Sequence, residues 1–310
     1  MKSIKNLLAA SVLATAMVTL AHADDSAPSA AVTPLIPIEL TYIPGSNTQK
    51  VAGITDIPAN IRPVISAKKR EKGGYLIEGT GSYKAGAPCF AYEYKINIKN
   101  KTYTLTPLAL ELDDSYLKLQ GINTGTNLQS VKSTSPKYRD IAAEPGTTGS
   151  CGQQVSKKTN NGVTDTNTVI SAISPGSWWG KVTMRTRDIP NWTITKTTDY
   201  LEWTSFSNGT VRWDYWQVTW YAVNPSPINT HWYVSQQNHY GPTYGSGNTT
   251  VNKGVYGAYY NYDWGFDHLS TNAYQSASIT GRNDSTFNYF WTHNDSGEDA
   301  SLIWGVVTLN

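Results

Sequence analysis

A tight turn between two alternating segments constrains the fold of this chain more than any other feature. Asn208-Gly209 separates residues 198–206 from residues 210–222, and both segments alternate apolar and polar side chains. An Asn-Gly pair in this setting is a strong signal for a β-hairpin with a two-residue turn. Further short alternating segments follow, separated by Gly, Pro, Asn and Asp, and none keeps the 3.6-residue apolar period of a helix. The sequence therefore predicts an all-β fold, a mostly antiparallel β-sandwich, either as one unit or as two β-rich domains.

The first half of the chain carries a weaker version of the same pattern. Residues 74–81 alternate as a strand does, and residues 89–106 contain two alternating segments around a polar turn, which predicts a second hairpin. Residues 108–120 fit either a short helix or a strand. Residues 122–172 are rich in Thr, Ser, Asn and Gly and fit long loops or polar strands.

Residues 1–23 have the three parts of a secretory signal peptide. Two lysines form a positive n-region, an apolar stretch follows, and Ala21-His22-Ala23 fits the cleavage site. The apolar stretch is about 14 residues long, shorter than the roughly 20 residues of a membrane-spanning helix. We therefore expect cleavage before Asp24, export to the periplasm or the extracellular space, and no transmembrane segment.

The charge balance excludes one class of partner. Removing the two lysines of the signal peptide from the 25 basic residues leaves 23, which equals the 23 acidic residues. A nucleic-acid-binding protein needs a strong basic stripe. We therefore expect no nucleic-acid partner.

The distribution of Trp and Cys suggests a division of the chain. All 11 Trp lie between Trp178 and Trp304, and both Cys lie before that region. Ser174-Pro175-Gly176 is a cluster of residues that interrupt regular structure. The sequence thus predicts a signal peptide, a loose leader, a β-rich domain with one disulfide, and a Trp/Tyr-rich antiparallel sandwich, at residues 1–23, 24–60, 61–175 and 176–310.

The two cysteines, Cys89 and Cys151, are predicted to form a disulfide. Exported proteins keep disulfides, and a pair of thiols alone does not complete a tetrahedral metal site. The loop that this bond closes is long, so the chain-entropy model gives roughly 4 kcal/mol of stabilisation.

The second half contains more aromatic rings than a core of this size needs. Trp and Tyr number 23 in residues 177–310, whereas Leu, Ile and Val number 18. The rings must therefore form much of the core, but every buried indole N–H and phenol O–H needs a partner. We expect some indoles to lie grouped at the surface, where an exposed aromatic cluster marks a binding site.

The segment from Val211 to Ala222 shows how the rings divide between two faces. Because a strand sends alternate side chains to opposite sides, Trp216, Val218 and Trp220 share a face that is predicted to be core. The opposite face mixes rings with Gln and Thr and is predicted to be partly exposed.

Residues 256–268 are a second candidate for a binding surface, because rings alternate with Asn and Asp there. Aromatic faces with polar edges match the apolar faces and hydroxyl rims of sugars. We therefore expect a secreted binding protein that recognises a glycan or another cell-surface ligand. The candidate ligand-binding residues are Trp213, Tyr215, Tyr221, Tyr259, Tyr262, Asp263 and Trp264.

Two other functions remain as alternatives. A polysaccharide-directed hydrolase would use carboxylates such as Glu202, Asp214 or Asp263, whose separation is set by the fold. A secreted β pore-forming toxin is suggested by residues 163–173, which are polar and alternate weakly. No motif for a nucleophile, a phosphate-binding loop or a dinucleotide is present, so the sequence predicts no catalytic residue and no cofactor.

One acidic segment has side chains of the kind that bind calcium. Residues 292–301 contain Asn294, Asp295, Glu298 and Asp299, which are oxygen ligands of the type that calcium prefers. Their spacing does not fit the EF-hand loop, and Asn-Asp-Ser-Gly is common in turns. The sequence therefore predicts no metal site.

Overall fold

The protein consists of two β-sheets packed face to face. The computed structural model describes residues 35–44, 57, 59–70, 74–87, 89–108, 128–133, 173–188, 193–222, 231–264, 269–297 and 299–310. Nearly all of the regular structure in these residues is strand, together with three short 3₁₀ turns at Ala59–Ile61, Ser246–Asn248 and Ala300–Leu302. The predicted all-β, mostly antiparallel sandwich is confirmed.

The first sheet has seven strands, all paired antiparallel. With strands numbered in chain order, its spatial order is β1 (Pro37–Glu39), β3 (Val64–Lys69), β4 (Tyr75–Lys84), β14 (Thr286–Gly297), β13 (Leu269–Arg282), β12 (Thr250–Trp264) and β11 (Trp232–Tyr244). β13 alternates buried and partly exposed residues along most of its length, as a strand with one face on the core should.

The second sheet has eight strands. Its spatial order is β2 (Thr41–Tyr42), β6 (Thr102–Pro107), β5 (Phe90–Asn97), β15 (Trp304–Leu309), β8 (Gly176–Arg187), β9 (Thr193–Ser205), β10 (Val211–Ala222) and β7 (Leu128–Lys132). Its pairs are antiparallel except for the short pair of β2 with β6.

Both predicted hairpins are present, with one difference in the first turn. Phe206 and Thr210 close the β9–β10 hairpin through a backbone bond of 2.9 Å, which leaves a loop of three residues rather than two. Gly209 ends that loop at a φ of 82°, a left-handed conformation that glycine adopts without strain. The β5–β6 hairpin pairs Asn97 with Thr102.

The core lies between the sheets and contains large rings packed against glycines. A Cβ on Gly281 would lie 2.6 Å from the Trp203 ring, and a Cβ on Gly81 would lie 2.5 Å from the Tyr289 hydroxyl. Trp203 and Tyr289 belong to one buried cluster with residues from both sheets. Glycines thus create the space that these large side chains need.

The predicted division at residue 175 does not separate two domains. β4 pairs with β14 in the first sheet, and β5 pairs with β15 in the second. Residues from both sides of the boundary therefore share each sheet, and residues 35–310 form one compact unit. The predicted leader at residues 24–60 also contains two edge strands, β1 and β2.

Some predictions fall outside the described residues. These are the signal peptide, most of residues 108–120, the weakly alternating residues 163–173, and Cys151. Cys89 lies immediately before β5, and its disulfide with Cys151 stays a prediction.

Candidate functional site

Indoles and phenols occupy different environments. Trp203, Trp220 and Trp291 are buried, whereas Trp179 and several other Trp side chains are partly exposed. The expected group of fully exposed indoles is not found among the Trp side chains that the structure describes. Trp203 and Trp220 can be buried because their indole N–H groups have backbone acceptors. Trp203 Nε1 donates to the Arg282 carbonyl at 2.8 Å, and Trp220 Nε1 donates to the Tyr256 carbonyl at 2.7 Å.

The most exposed rings among the described residues are tyrosines of β11 and β12. Tyr233, Tyr240 and Tyr262 are 43%, 51% and 53% exposed. Tyr233 lies opposite Tyr260 on the neighbouring strand, and their rings meet edge to face with centroids 5.4 Å apart. Tyr240 lies opposite Gly254, and alternation along β12 places Gly254, Tyr260 and Tyr262 on the face opposite the buried Tyr259. A register shift between Val234 and Gln236 keeps Tyr240 on the same face as Tyr233. These residues therefore face away from the core on the seven-stranded sheet. We call Tyr233, Tyr240, Tyr260 and Tyr262 the tyrosine surface.

Tyr240 lies against the sheet because its cross-strand partner is Gly254. A Cβ on Gly254 would lie 2.3 Å from the Tyr240 ring. Any residue other than glycine at position 254 would therefore displace the ring. One side of the ring therefore covers the backbone of β12, while about half of the side chain stays exposed. This geometry presents a flat aromatic face to an incoming molecule.

Small uncharged side chains continue the same face across the sheet. Tyr256, Ser276 and Thr292 lie opposite one another on β12, β13 and β14, and the two hydroxyls are 2.6 Å apart. Asn272 lies opposite Tyr260 on β13, and Asn238 lies opposite Tyr256 on β11. These groups place hydrogen-bond donors and acceptors beside the rings.

A histidine and a carboxylate lie at one end of the tyrosine surface. The His231 ring lies against the Tyr262 ring, with centroids 4.7 Å apart. His231 Nδ1 is 3.3 Å from Asp263 Oδ2, and both side chains are partly exposed. Two of the predicted binding residues, Tyr262 and Asp263, therefore lie together with a histidine that the sequence did not single out.

Three other predicted binding residues pack inside the fold. Tyr259 is buried, and its hydroxyl lies 2.6 Å from both Thr197 Oγ1 and the Lys196 carbonyl. Tyr221 is buried beside Tyr259 in a second core cluster. Trp213 packs against the main core, because an irregularity between Trp213 and Tyr215 reverses the alternation of β10. Tyr221 and Tyr259 therefore have structural roles, whereas Trp213, which is only partly buried, stays a prediction as a binding residue.

The predicted residues do not form one patch. Tyr215 is partly exposed, but it lies in the eight-stranded sheet opposite Glu202, whereas Tyr262 and Asp263 lie in the seven-stranded sheet. Trp264 ends β12, and its side chain is outside the described residues. Tyr233 and Tyr240 are not among the predicted binding residues. The alternation in "HWYVSQQNHYG" predicts a strand, but it does not show that this strand lies at the edge of a sheet.

The carboxylates proposed for hydrolysis are also divided between the two sheets. Glu202 and Asp214 lie near each other on β9 and β10, whereas Asp263 belongs to the other sheet. In the acidic segment 292–301, for which no metal site is predicted, Asp295 lies within β14 with Oδ1 3.0 Å from His293 Nε2. Within the described ranges, no three His, Cys, Asp or Glu side chains are grouped to hold a metal ion.

Comparisons with known proteins give no family for this chain. No family model, no curated protein and no solved structure matches it. Over the part of the chain that the structure describes, no helix has the length and apolar character required to cross a bilayer. The function is therefore inferred from the exposed side chains of the two sheets.

Proposed function

We propose that this protein binds an uncharged oligosaccharide on the tyrosine surface. The observation that supports this most directly is the grouping of Tyr233, Tyr240 and Tyr262, each about half exposed, on one face of the seven-stranded sheet. An exposed aromatic group with polar neighbours is the usual sign of a binding surface.

The chemistry of the surface favours a sugar. A phenol ring offers a flat apolar face that packs on the C–H face of a pyranose, and its hydroxyl can bond a sugar hydroxyl. The outward positions beside the rings are Asn238, Asn272, Ser276 and Ser278. All four are uncharged and carry hydrogen-bonding groups, so the surface between the rings favours a neutral ligand; the charged Asp263, with His231, lies only at its Tyr262 end.

The dimensions of the surface favour an oligosaccharide. Tyr233 and Tyr240 are seven residues apart on β11, which corresponds to roughly 20 Å along a strand. A single sugar ring cannot contact both tyrosines. We therefore infer separate subsites at Tyr233 with Tyr262 and at Tyr240 with Gly254.

The proposal is tested with a glycan array on residues 24–310, followed by calorimetry with the best neutral oligosaccharide. Tyr233→Ala and Tyr240→Ala should each weaken binding by about tenfold, because each removes a stacking contact. The matched control is Tyr244→Ala. Tyr244 is also exposed and lies on β11, but its partner Val251 points into the core.

Several outcomes contradict this proposal. They are the absence of any bound glycan in the unmodified protein, an equal loss of affinity in Tyr244→Ala, and binding to lipid vesicles that carry no sugar. Phenylalanine variants at the same positions separate the two contributions, because Tyr233→Phe keeps the ring and removes only the hydroxyl.

We also propose that the protein acts outside the cytoplasm. The support is the pattern of residues 1–23. Amino-terminal sequencing of the protein from its native host should begin at Asp24. An unprocessed terminus at Met1 would contradict this.

A further inference from the structure

A carboxylate lies between two aromatic rings on the outer face of the eight-stranded sheet, away from the tyrosine surface. Glu202 of β9 pairs with Trp179 of β8 on one side and with Tyr215 of β10 on the other. Side chains that lie opposite each other on paired strands have Cβ atoms about 5 Å apart. These three side chains form a row across the strands. All three are partly exposed, so the row is accessible from solvent.

A third ring closes the base of this row. Tyr200 precedes Glu202 by two residues on β9, and its ring centroid lies 6.1 Å from that of Trp179 and 6.0 Å from that of Tyr215. Tyr200 is nearly buried, and its hydroxyl donates a hydrogen bond to Glu202 Oε1. The carboxylate is thus held in place by a neutral donor and surrounded by aromatic carbon.

The neighbouring carboxylate has a counter-charge, but Glu202 does not. Arg212 Nε and a second guanidinium nitrogen are both 2.9 Å from Asp214 Oδ1, and Thr204 Oγ1 donates to Asp214 Oδ2 at 2.6 Å. Among the residues that the structure describes, no Lys, Arg or His lies within ion-pair distance of Glu202. Lys181 of β8 lies on the same face of the sheet, but the residue opposite it on β9 is Tyr200 and not Glu202.

A half-buried carboxylate beside a second carboxylate is costly without a cation. Burial raises the pKa of Glu202, and the Asp214 charge raises it further, although the Tyr200 hydrogen bond opposes this. Partly buried charges are normally compensated by an opposite charge. The row therefore holds a negative charge that a bound cation would stabilise.

We propose that Trp179, Glu202 and Tyr215 bind an organic cation, specifically the trimethylammonium group of a choline-type ligand. Aromatic faces attract such cations without forming hydrogen bonds, and the attraction strengthens when the site is partly dry. A metal ion such as calcium is disfavoured, because it takes six to eight oxygen ligands, and the Glu202 carboxylate with the single phenol oxygen of Tyr215 supplies far fewer. This site does not depend on the proposed glycan site.

The ligand chemistry can come from a free metabolite or from a lipid headgroup, and the experiment separates the two. Choline is titrated into the full mature chain while tryptophan fluorescence is followed, with 3,3-dimethyl-1-butanol as the uncharged analogue of the same shape. Vesicles of phosphatidylcholine and of phosphatidylglycerol are then tested by flotation. Binding of free choline alone indicates a soluble ligand, and additional binding of phosphatidylcholine vesicles indicates a headgroup.

The variants test the role of charge and rings separately. Glu202→Gln and Tyr215→Ala should each weaken choline binding by about tenfold. The control is Glu93→Gln, because Glu93 already pairs with Lys95 at 3.1 Å and should leave binding unchanged. Glu202→Gln keeps the size of the side chain, and its thermal unfolding is measured alongside to show that it folds.

The proposal is overturned if choline and its uncharged analogue bind equally, if neither binds, or if Glu202→Gln binds choline as well as the unmodified protein does. A glycan-binding defect in Tyr233→Ala that leaves choline binding intact would show that the two sites are separate.

Discussion

Lys253 Nζ lies 2.7 Å from Asp199 Oδ1, and both side chains are completely buried between the two sheets. Lys253 belongs to β12 and Asp199 to β9, so this ion pair joins the opposite sheets of the sandwich. The ammonium also lies 4.9 Å from the centroid of the Trp216 ring. Burial raises the pKa of Asp199 and lowers the pKa of Lys253, because desolvation disfavours the charged form of each.

The first prediction concerns this buried pair. Lys253→Met should lower the free energy of unfolding by about 3–5 kcal/mol, because it leaves the Asp199 carboxylate buried without a partner. The double variant Asp199→Leu with Lys253→Met should recover most of this loss, because it removes both desolvation costs. Urea unfolding measures both.

The control for this prediction is the exposed pair of Lys95 with Glu93. Lys95→Met should change the free energy of unfolding by less than about 1 kcal/mol. A double variant at 199 and 253 as unstable as Lys253→Met alone would show that the charges are required for the packing of the sheets.

The second prediction compares two glycines that lie beneath rings. Gly281→Ala should destabilise the fold by about 1–3 kcal/mol, because the buried Trp203 ring cannot move away from a new methyl group. Gly254→Ala should cost less, since the half-exposed Tyr240 ring can rotate into solvent. Thermal unfolding of both variants provides the measurement.

The same pair of variants also tests the tyrosine surface. Gly254→Ala should weaken oligosaccharide binding, because it displaces the Tyr240 ring, whereas Gly281→Ala should leave binding unchanged in the folded fraction. Equal glycan affinity in Gly254→Ala and the unmodified protein would show that Tyr240 does not contact the sugar.

The sequence predicts the strands of this fold better than it predicts the site, and β10 shows why. Alternation correctly identifies Val218 and Trp220 as core. It fails at Trp213, because the irregularity around Asp214 inserts one unpaired residue and reverses which side chains face inward. Such irregularities leave no clear mark in a single sequence.

Of the exposed tyrosines, the sequence identifies Tyr262 but not Tyr233 and Tyr240, and the reason is different. Tyr259 and Tyr262 belong to one aromatic segment, and only the packing of β12 on β9 buries the first and leaves the second outside. Tyr233 and Tyr240 are exposed because β11 is the edge of its sheet. Edge position follows from the strand order, which depends on pairing between distant segments.

The third prediction concerns the pH dependence of Glu202. Because burial raises the pKa of Glu202 above its ordinary value, the folded protein binds this proton more tightly than the unfolded chain does. Stability from this group is therefore present below the unfolded pKa and is lost as the pH rises through the folded pKa. Glu202→Gln should match the unmodified protein near pH 4 and exceed its free energy of unfolding at pH 8.

Chemical denaturation at the two pH values and constant ionic strength measures this difference. In an Asp214→Asn background the gain from Glu202→Gln at pH 8 should shrink, because the neighbouring charge that raises the pKa is gone. A Glu202→Gln variant that is less stable than the unmodified protein at pH 8 would indicate that the carboxylate is stabilised by its surroundings.

The final prediction concerns the two cysteines. Cys89 directly precedes β5, and its predicted partner Cys151 lies outside the described residues. Unreduced protein should be unreactive toward iodoacetamide, and its tryptic map should contain one peptide that joins both cysteines. The double variant Cys89→Ala with Cys151→Ala should lose roughly 4 kcal/mol of stability while keeping its strand signal in circular dichroism, because the closed loop is long and the bond acts mainly on the unfolded chain. Two free thiols in the mature protein from its native host would contradict this prediction.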